Sequence, residues 1–225
     1  MARIGIFGGT FNPIHFGHLR AAEETREHFD LDKIIFLPSG IPPLKNQELA
    51  KLDHRLEMAR IAIAGNPSFE VSSLEGEEEG PSYTVKTVEK LNSIYPSDRL
   101  YFMMGLDTFK ELEKWYMPEK LASLINFVVF SRPGSEFKDF FLSPYLRESD
   151  NPEKREFEIY ALSHDVMECL ELTLKSGREL LLFRTSAFEI SASYIRRLVR
   201  EGKSARYLLP AGVISYIITN NLYRS

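Results

Sequence analysis

The chain has 225 residues, 44% hydrophobic and 27% charged, a balance that excludes disordered, collagen-like and coiled-coil classes and leaves an ordinary globular protein with one sizeable core. A formal net charge of -4 argues against a broadly basic nucleic-acid surface and confines phosphate binding to a local pocket. The lone cysteine, Cys169, excludes an internal disulfide, and its setting in MECLEL reads as a packed thiol rather than a nucleophile.

MARIGIFGGT is too short in its apolar part for a secretory leader, and no segment reaches the length of a membrane span. A cytoplasmic protein with no membrane or nucleic-acid partner is expected; homo-oligomerisation stays open.

In chain order, Arg3 to Phe7 is a β-prone apolar run stopped by Gly8 and Gly9, and Leu19, Ala21, Ala22 and Phe29 follow near helical spacing. A second run, Lys33 to Leu37, closes at Pro38; after the loop SGIPPLKN comes a helix with Leu52, Leu56, Ala59 and Ile63 on its apolar side. The third run is Phe69 to Leu74, followed by the acidic loop EGEEEG and a helix carrying Val85, Val88, Leu91 and Tyr95. Leu100 to Met104 and Phe127 to Phe130 are the fourth and fifth strands. Continuous apolar strands alternating with amphipathic helices predict an α/β fold, a Rossmann-like parallel sheet with helices on both faces. Between about 135 and 179 the rhythm breaks, and this segment reads as an insertion within a single domain spanning 1–225, placed before a last strand at Leu180 to Phe183. A helix beginning in ISASYIRRLVREG and a closing helix over Ala211 to Tyr223 complete the chain.

The loop GGTFNPIHFGHLR follows the first strand, where open parallel sheets bind ligands and where the next helix offers free N–H groups and its positive dipole end. Two glycines permit close backbone approach to a phosphate. Neither G-x-G-x-x-G nor G-x-x-x-x-G-K-[ST] is present, which argues against a dinucleotide oxidoreductase and a P-loop kinase. His15 and His18 share one side of the first helical turn and could grip phosphate oxygens. As a metal site HxxH lacks a third ligand at a familiar spacing, so no protein metal site is expected. Toward the other end, Ser191 can cap a helix whose free amides, with Arg196, would face an anion.

GGTFNPIHFGHLR and ISASYIRR together resemble the two signatures of the nucleotidyltransferase superfamily built on a (H/T)xGH motif. LPSGIPPLK, DHRLEM, GPSYTVKTVEKL, GLDTFKELEKWYMPEKL and SRPG resemble, within it, the bacterial nicotinate mononucleotide adenylyltransferases. The resemblance implies joining of nicotinate mononucleotide to the AMP portion of ATP in NAD biosynthesis, with Mg²⁺ held mainly through the ATP phosphates. It implies an ATP site of Gly8, Gly9, Thr10, Phe11, His15, His18, Gly105, Asp107, Arg132, Ser191, Ser193 and Arg196, with His15, His18 and Arg196 catalytic and Asp107 on the ribose. The acceptor falls to Lys45, Tyr83, Thr84, Trp115 and Tyr116, Trp115 stacking on the pyridine ring and the amides of Thr84 and Tyr116 receiving its carboxylate. Lys45 and Arg55 each read equally well as phosphate ligands or solvated charges, and Trp115 as a packing residue. The chain departs from the family at Leu44, where histidine is common, and at Lys86, where SYTxDT is usual. Acceptors left open are nicotinamide mononucleotide and phosphopantetheine; a nucleotide-sensing module without turnover is the reading from another class.

Overall fold

The structure, a computed structural model, describes residues 1–41, 49–76, 80–131, 137, 143–164, 166–186 and 188–224. In chain order the regular elements are β1 (Arg3–Gly9), α1 (Phe16–His28), β2 (Lys33–Pro38), α2 (Leu52–Ile63), β3 (Phe69–Val71), α3 (Thr84–Ile94), β4 (Arg99–Gly105), α4 (Leu106–Lys110), α5 (Pro118–Leu124), β5 (Asn126–Phe130), α6 (Pro152–Ser163), β6 (Cys169–Thr173), β7 (Glu179–Phe183), α7 (Ala192–Arg200) and α8 (Ala211–Thr219). The strands form a seven-stranded sheet in the order β3-β2-β1-β4-β5-β7-β6. This is the Rossmann-like arrangement that the alternation of strands and helices predicts.

Two compact units make up the chain, the first from Met1–Gly5 and Tyr83–Ala187, the second from Ile6–Ser82 and Phe188–Ser225. In the first, β4, β5 and β7 run parallel, with Tyr101 opposite Asn126 and Phe127 opposite Leu180. β5 is buried at every position, as a strand covered on both faces must be. Its one polar residue, Asn126, is satisfied in place: its amide donates to the Leu100 carbonyl at 3.0 Å and its oxygen accepts from the Glu179 amide at 3.0 Å.

The segment 135–179, read from the sequence as lacking a clear period, carries α6 and β6. Asn151 caps α6 by accepting from the Lys154 amide at 2.9 Å, and Pro152 starts the helix where its missing N–H costs nothing. β6 pairs antiparallel with β7, so the sheet is not parallel throughout. Its residues alternate, with Leu170 and Leu172 buried and Glu171 exposed, which is the pattern of an edge strand with one covered face. Five residues are too few for that period to stand out beside PEKREFE.

In the second unit β2 pairs parallel with β3, Ile34 opposite Phe69. Phe7, Phe11, Phe36 and Phe69 form a chain of ring contacts 5.2 to 5.7 Å apart at the centre of this core. α2 and α8 pack closely because Gly212 has no side chain; a Cβ there would lie 2.7 Å from the Ile61 methyl.

Candidate active site

β1 ends in Gly8 and Gly9, and the loop that follows is set by its own side chains. Phe11 sits at φ 46°, in the left-handed region, and turns its ring back so that a Cβ on Gly9 would lie 3.0 Å from Phe11 Cζ. Glycine at this position therefore leaves room for the Phe11 ring in the loop itself. The Asn12–Pro13 peptide is cis.

His15 is the N-cap of α1 and His18 its third residue, so both histidines lie at the helix's positive end. Their rings stack with centroids 3.7 Å apart, and the Phe11 ring meets His18 edge-on at 5.1 Å. The His15 backbone N–H donates to His18 Nδ1 at 3.3 Å. With Nδ1 accepting, the proton of a neutral His18 belongs on Nε2, which is then a donor suited to an anion. His15 is buried, and Gly17 gives its ring room, since a Cβ on Gly17 would lie 3.1 Å from His15 Nδ1.

Ser191 caps α7, its hydroxyl accepting from the Tyr194 amide at 3.2 Å. One turn on, Arg196 donates from one guanidinium nitrogen to the Asn12 carbonyl at 2.7 Å and from the other to Ser193 Oγ at 3.3 Å. A separation of 184 residues is closed by that first bond, which brings the C-terminal signature onto the loop of the N-terminal one. Imidazoles, a guanidinium and helix N-terminal amides form a donor set for a polyphosphate. Among the described residues no three of His, Cys, Asp and Glu group as a cation site.

Arg55 is placed differently from either sequence reading. It is 1% exposed, and its three donor nitrogens reach the carbonyls of Ala50 at 3.0 Å, Thr10 at 2.9 Å and Gly40 at 2.9 Å. Burial lowers its pKa from the usual guanidinium range, with the nearby Tyr223 and Glu75 acting in the opposite sense. It is a clamp on the loops after β1 and β2, neither a solvated charge nor a phosphate ligand. A run such as DHRLEM gives no sign of this, because the acceptors are main-chain carbonyls that carry no side-chain code. Asn12 and Tyr223, which meet in the same place, likewise carry no mark of that contact in the sequence.

The first unit holds the other candidates. Gly105 is the N-cap of α4, which leaves Asp107 in the first turn with an exposed carboxylate at the C-terminal end of β4. Trp115 follows a 3₁₀ turn and meets Phe102 edge-on at 6.3 Å, half-buried. Tyr83 is the N-cap of α3, so Thr84 is the first residue of the helix and its amide has no intrahelical acceptor by position. The Tyr83 ring lies 4.5 Å from that of Tyr116, which is half exposed, and Lys86 Nζ lies 5.8 Å from the Tyr83 ring. Lys45, Leu44 and Arg132 fall outside the described residues. Cys169, on β6, is partly buried; burial pushes its thiol pKa up and the neighbouring Glu171 and Glu168 add to this, the opposite of an activated thiolate.

The cytidylyltransferase-like family model matches residues 6–198, from the end of β1 to α7. Two relatives named as probable nicotinate-nucleotide adenylyltransferases match almost end to end. One, from Desulfatibacillum aliphaticivorans, is 39% identical over 98% of this chain and 99% of its own. The other, from Syntrophotalea carbinolica, is 42% identical over 99% of this chain and 98% of its own. The chain belongs to the nicotinate-nucleotide adenylyltransferase family. Family membership extends to the fold, since the Plasmodium falciparum nicotinic acid mononucleotide adenylyltransferase complexed with NaAD superposes with a TM-score of 0.71, covering 99% of this chain and 98% of that one at 19% identity. Among the described residues no helix is long and apolar enough to cross a membrane.

Proposed function

We propose that the chain transfers the adenylyl group of ATP to the 5′-phosphate of nicotinate mononucleotide, giving nicotinate adenine dinucleotide and pyrophosphate, a step of NAD biosynthesis. Family membership supports this, and the observation that carries it is the 2.7 Å bond from Arg196 to the Asn12 carbonyl, which joins two anion-suited helix starts on one loop.

In this reading the acceptor's 5′-phosphate, ionised at neutral pH, attacks the α-phosphorus in line and pyrophosphate leaves. No general base or covalent nucleophile is required, so the protein contributes positioning and charge stabilisation. His18 donates from Nε2 to the α-phosphate as charge develops there. His15 holds the His18 ring by stacking and by its backbone N–H, and the Ser191-capped start of α7 with Arg196 receives the β- and γ-phosphates. Mg²⁺, bound by phosphate and water oxygens, would neutralise the triphosphate; GGTFNPIHFGHLR and ISASYIRR fit that division, since they offer hydrogen-bond donors and carry no carboxylate.

Asp107 is assigned to the ribose hydroxyls, and Trp115, Tyr83, Tyr116 and the Thr84 amide to the nicotinate ring and its carboxylate. Lys86 beside Tyr83 adds a positive charge to this aromatic group, which favours the anionic acid over the neutral amide. The test is pyrophosphate release from ATP and Mg²⁺ with nicotinate mononucleotide and, separately, with nicotinamide mononucleotide at equal concentration. The acid is expected to be the preferred acceptor. Preference for the amide would overturn the acceptor, and release with neither would leave a nucleotide sensor.

A further inference from the structure

Asn12 is buried and is a hub for three chain segments. Its side-chain oxygen accepts from the Ala50 amide at 3.1 Å and from the Tyr223 hydroxyl at 2.8 Å, while its main-chain carbonyl accepts from Arg196. Tyr223 reaches Asn12 across 211 residues of sequence, from a backbone held at φ 63°. That left-handed conformation is uncommon for tyrosine, and such strain persists where surrounding contacts hold it. Here the contact that accompanies it is the hydroxyl's bond to Asn12.

We propose that Tyr223 is a positioning residue for the ATP site: its hydroxyl fixes Asn12, and the Asn12 carbonyl in turn fixes the direction in which Arg196 presents its guanidinium. The inference rests on the reading of Arg196 as a phosphate ligand. Arg196 has a long, rotamer-rich side chain, and an unheld guanidinium would have to be ordered when the triphosphate arrives. A carbonyl at 2.7 Å orders it beforehand, provided the Asn12 peptide itself cannot turn. Oδ1 of the same residue, gripped by a hydroxyl and an amide, supplies that condition. Burial pushes the Tyr223 pKa above the usual phenol range against the opposing pull of Arg196 and Arg55, so the hydroxyl stays a donor at working pH.

Tyr223→Phe keeps the ring and removes the donor. The variant is expected to bind a non-hydrolysable ATP analogue about 5- to 10-fold more weakly by calorimetry, the size of one lost hydrogen bond. Its KM for nicotinate mononucleotide stays at the wild-type value, and its melting temperature falls by no more than about 4 °C. Tyr216→Phe is the control, since it deletes the 2.9 Å contact between the Tyr216 hydroxyl and His54 Nδ1 by the same chemical change in the same unit. It is expected to leave analogue affinity alone. In an Arg196→Lys background, Tyr223→Phe should add less than twofold, because the effect passes through Arg196. Wild-type affinity in Tyr223→Phe, an equal loss in Tyr216→Phe, or a full further loss in the Arg196→Lys background overturns the relay. Pyrophosphate release by the wild type together with an unaltered Tyr223→Phe variant removes the relay and leaves the adenylyltransferase; a wild type that does not bind the analogue removes both.

Discussion

At His18 one ring meets two demands. Nδ1 is occupied by the His15 amide, the His15 ring stacks on one face and the Phe11 ring meets the imidazole at a steep angle, so the edge bearing Nε2 keeps one direction. His18→Ala is expected to lower kcat by roughly 10²- to 10³-fold, the loss typical of one preorganised donor to a developing oxyanion. Steady-state rates beside a circular-dichroism melt check it; a wild-type kcat would refute the assignment. Gly17→Ala separates stability from activity. Alanine in α1 gains up to about 1 kcal/mol of helix propensity, yet its Cβ would lie 3.1 Å from His15 Nδ1. The buried His15 ring must shift by a few tenths of an ångström, so kcat should fall about tenfold while the melting temperature holds or rises. Arg55→Met retains much of the buried stem but strips donors from three carbonyls, and a loss of about 3 kcal/mol in urea unfolding is expected. Were Arg55 a phosphate ligand, the same change would weaken ATP binding and spare stability. The two histidines and Ser191 were legible as residues suited to an anion, because helix starts announce themselves through spacing and capping residues. The carbonyl partners of Arg55 and Arg196 were not, since any residue type supplies a carbonyl.

Among elements, β4 and β7 carry a pH-dependent contact at their outer ends. Tyr101 is fully buried, its hydroxyl donates to Glu179 Oε2 at 2.8 Å, and the Arg3 guanidinium lies 5.0 Å from its ring. Burial first, then the hydrogen bond and charge of Glu179, push its pKa from 10.0 up to about 12. The folded state thus holds the phenol proton more tightly than the unfolded chain. The stability this contributes is complete below about pH 10 and is lost as pH rises from there through about 12. Urea unfolding at pH 9 and pH 11.5 should show a smaller decline in Tyr101→Phe than in the wild type; an identical decline would refute it. The buried parallel strands were readable because double-sided burial writes an uninterrupted apolar run. By contrast, β6 was not, because alternation over five residues next to a charged helix is too short to register against its surroundings.

For the molecule as a whole, the lack of any carboxylate in GGTFNPIHFGHLR and ISASYIRR predicts that magnesium binds with ATP and not before it. Mg²⁺ alone should leave the melting temperature unchanged, and Mg²⁺ with ATP should raise it by more than ATP in EDTA. A shift with Mg²⁺ alone would call for a protein cation site. Fold class, the succession of the buried strands other than β6, and the two signatures were determined by the sequence itself, since periodicity and capping are local properties that survive without knowing what lies across the core. Tertiary structure alone decided that Arg55 is a clamp, that Gly9 makes room for Phe11, and that Tyr223 meets Asn12. Each of these depends on which groups meet across 5 to 211 residues of chain or on a backbone turn at positive φ, and neither a main-chain acceptor nor such a turn leaves a periodic trace in the residues between.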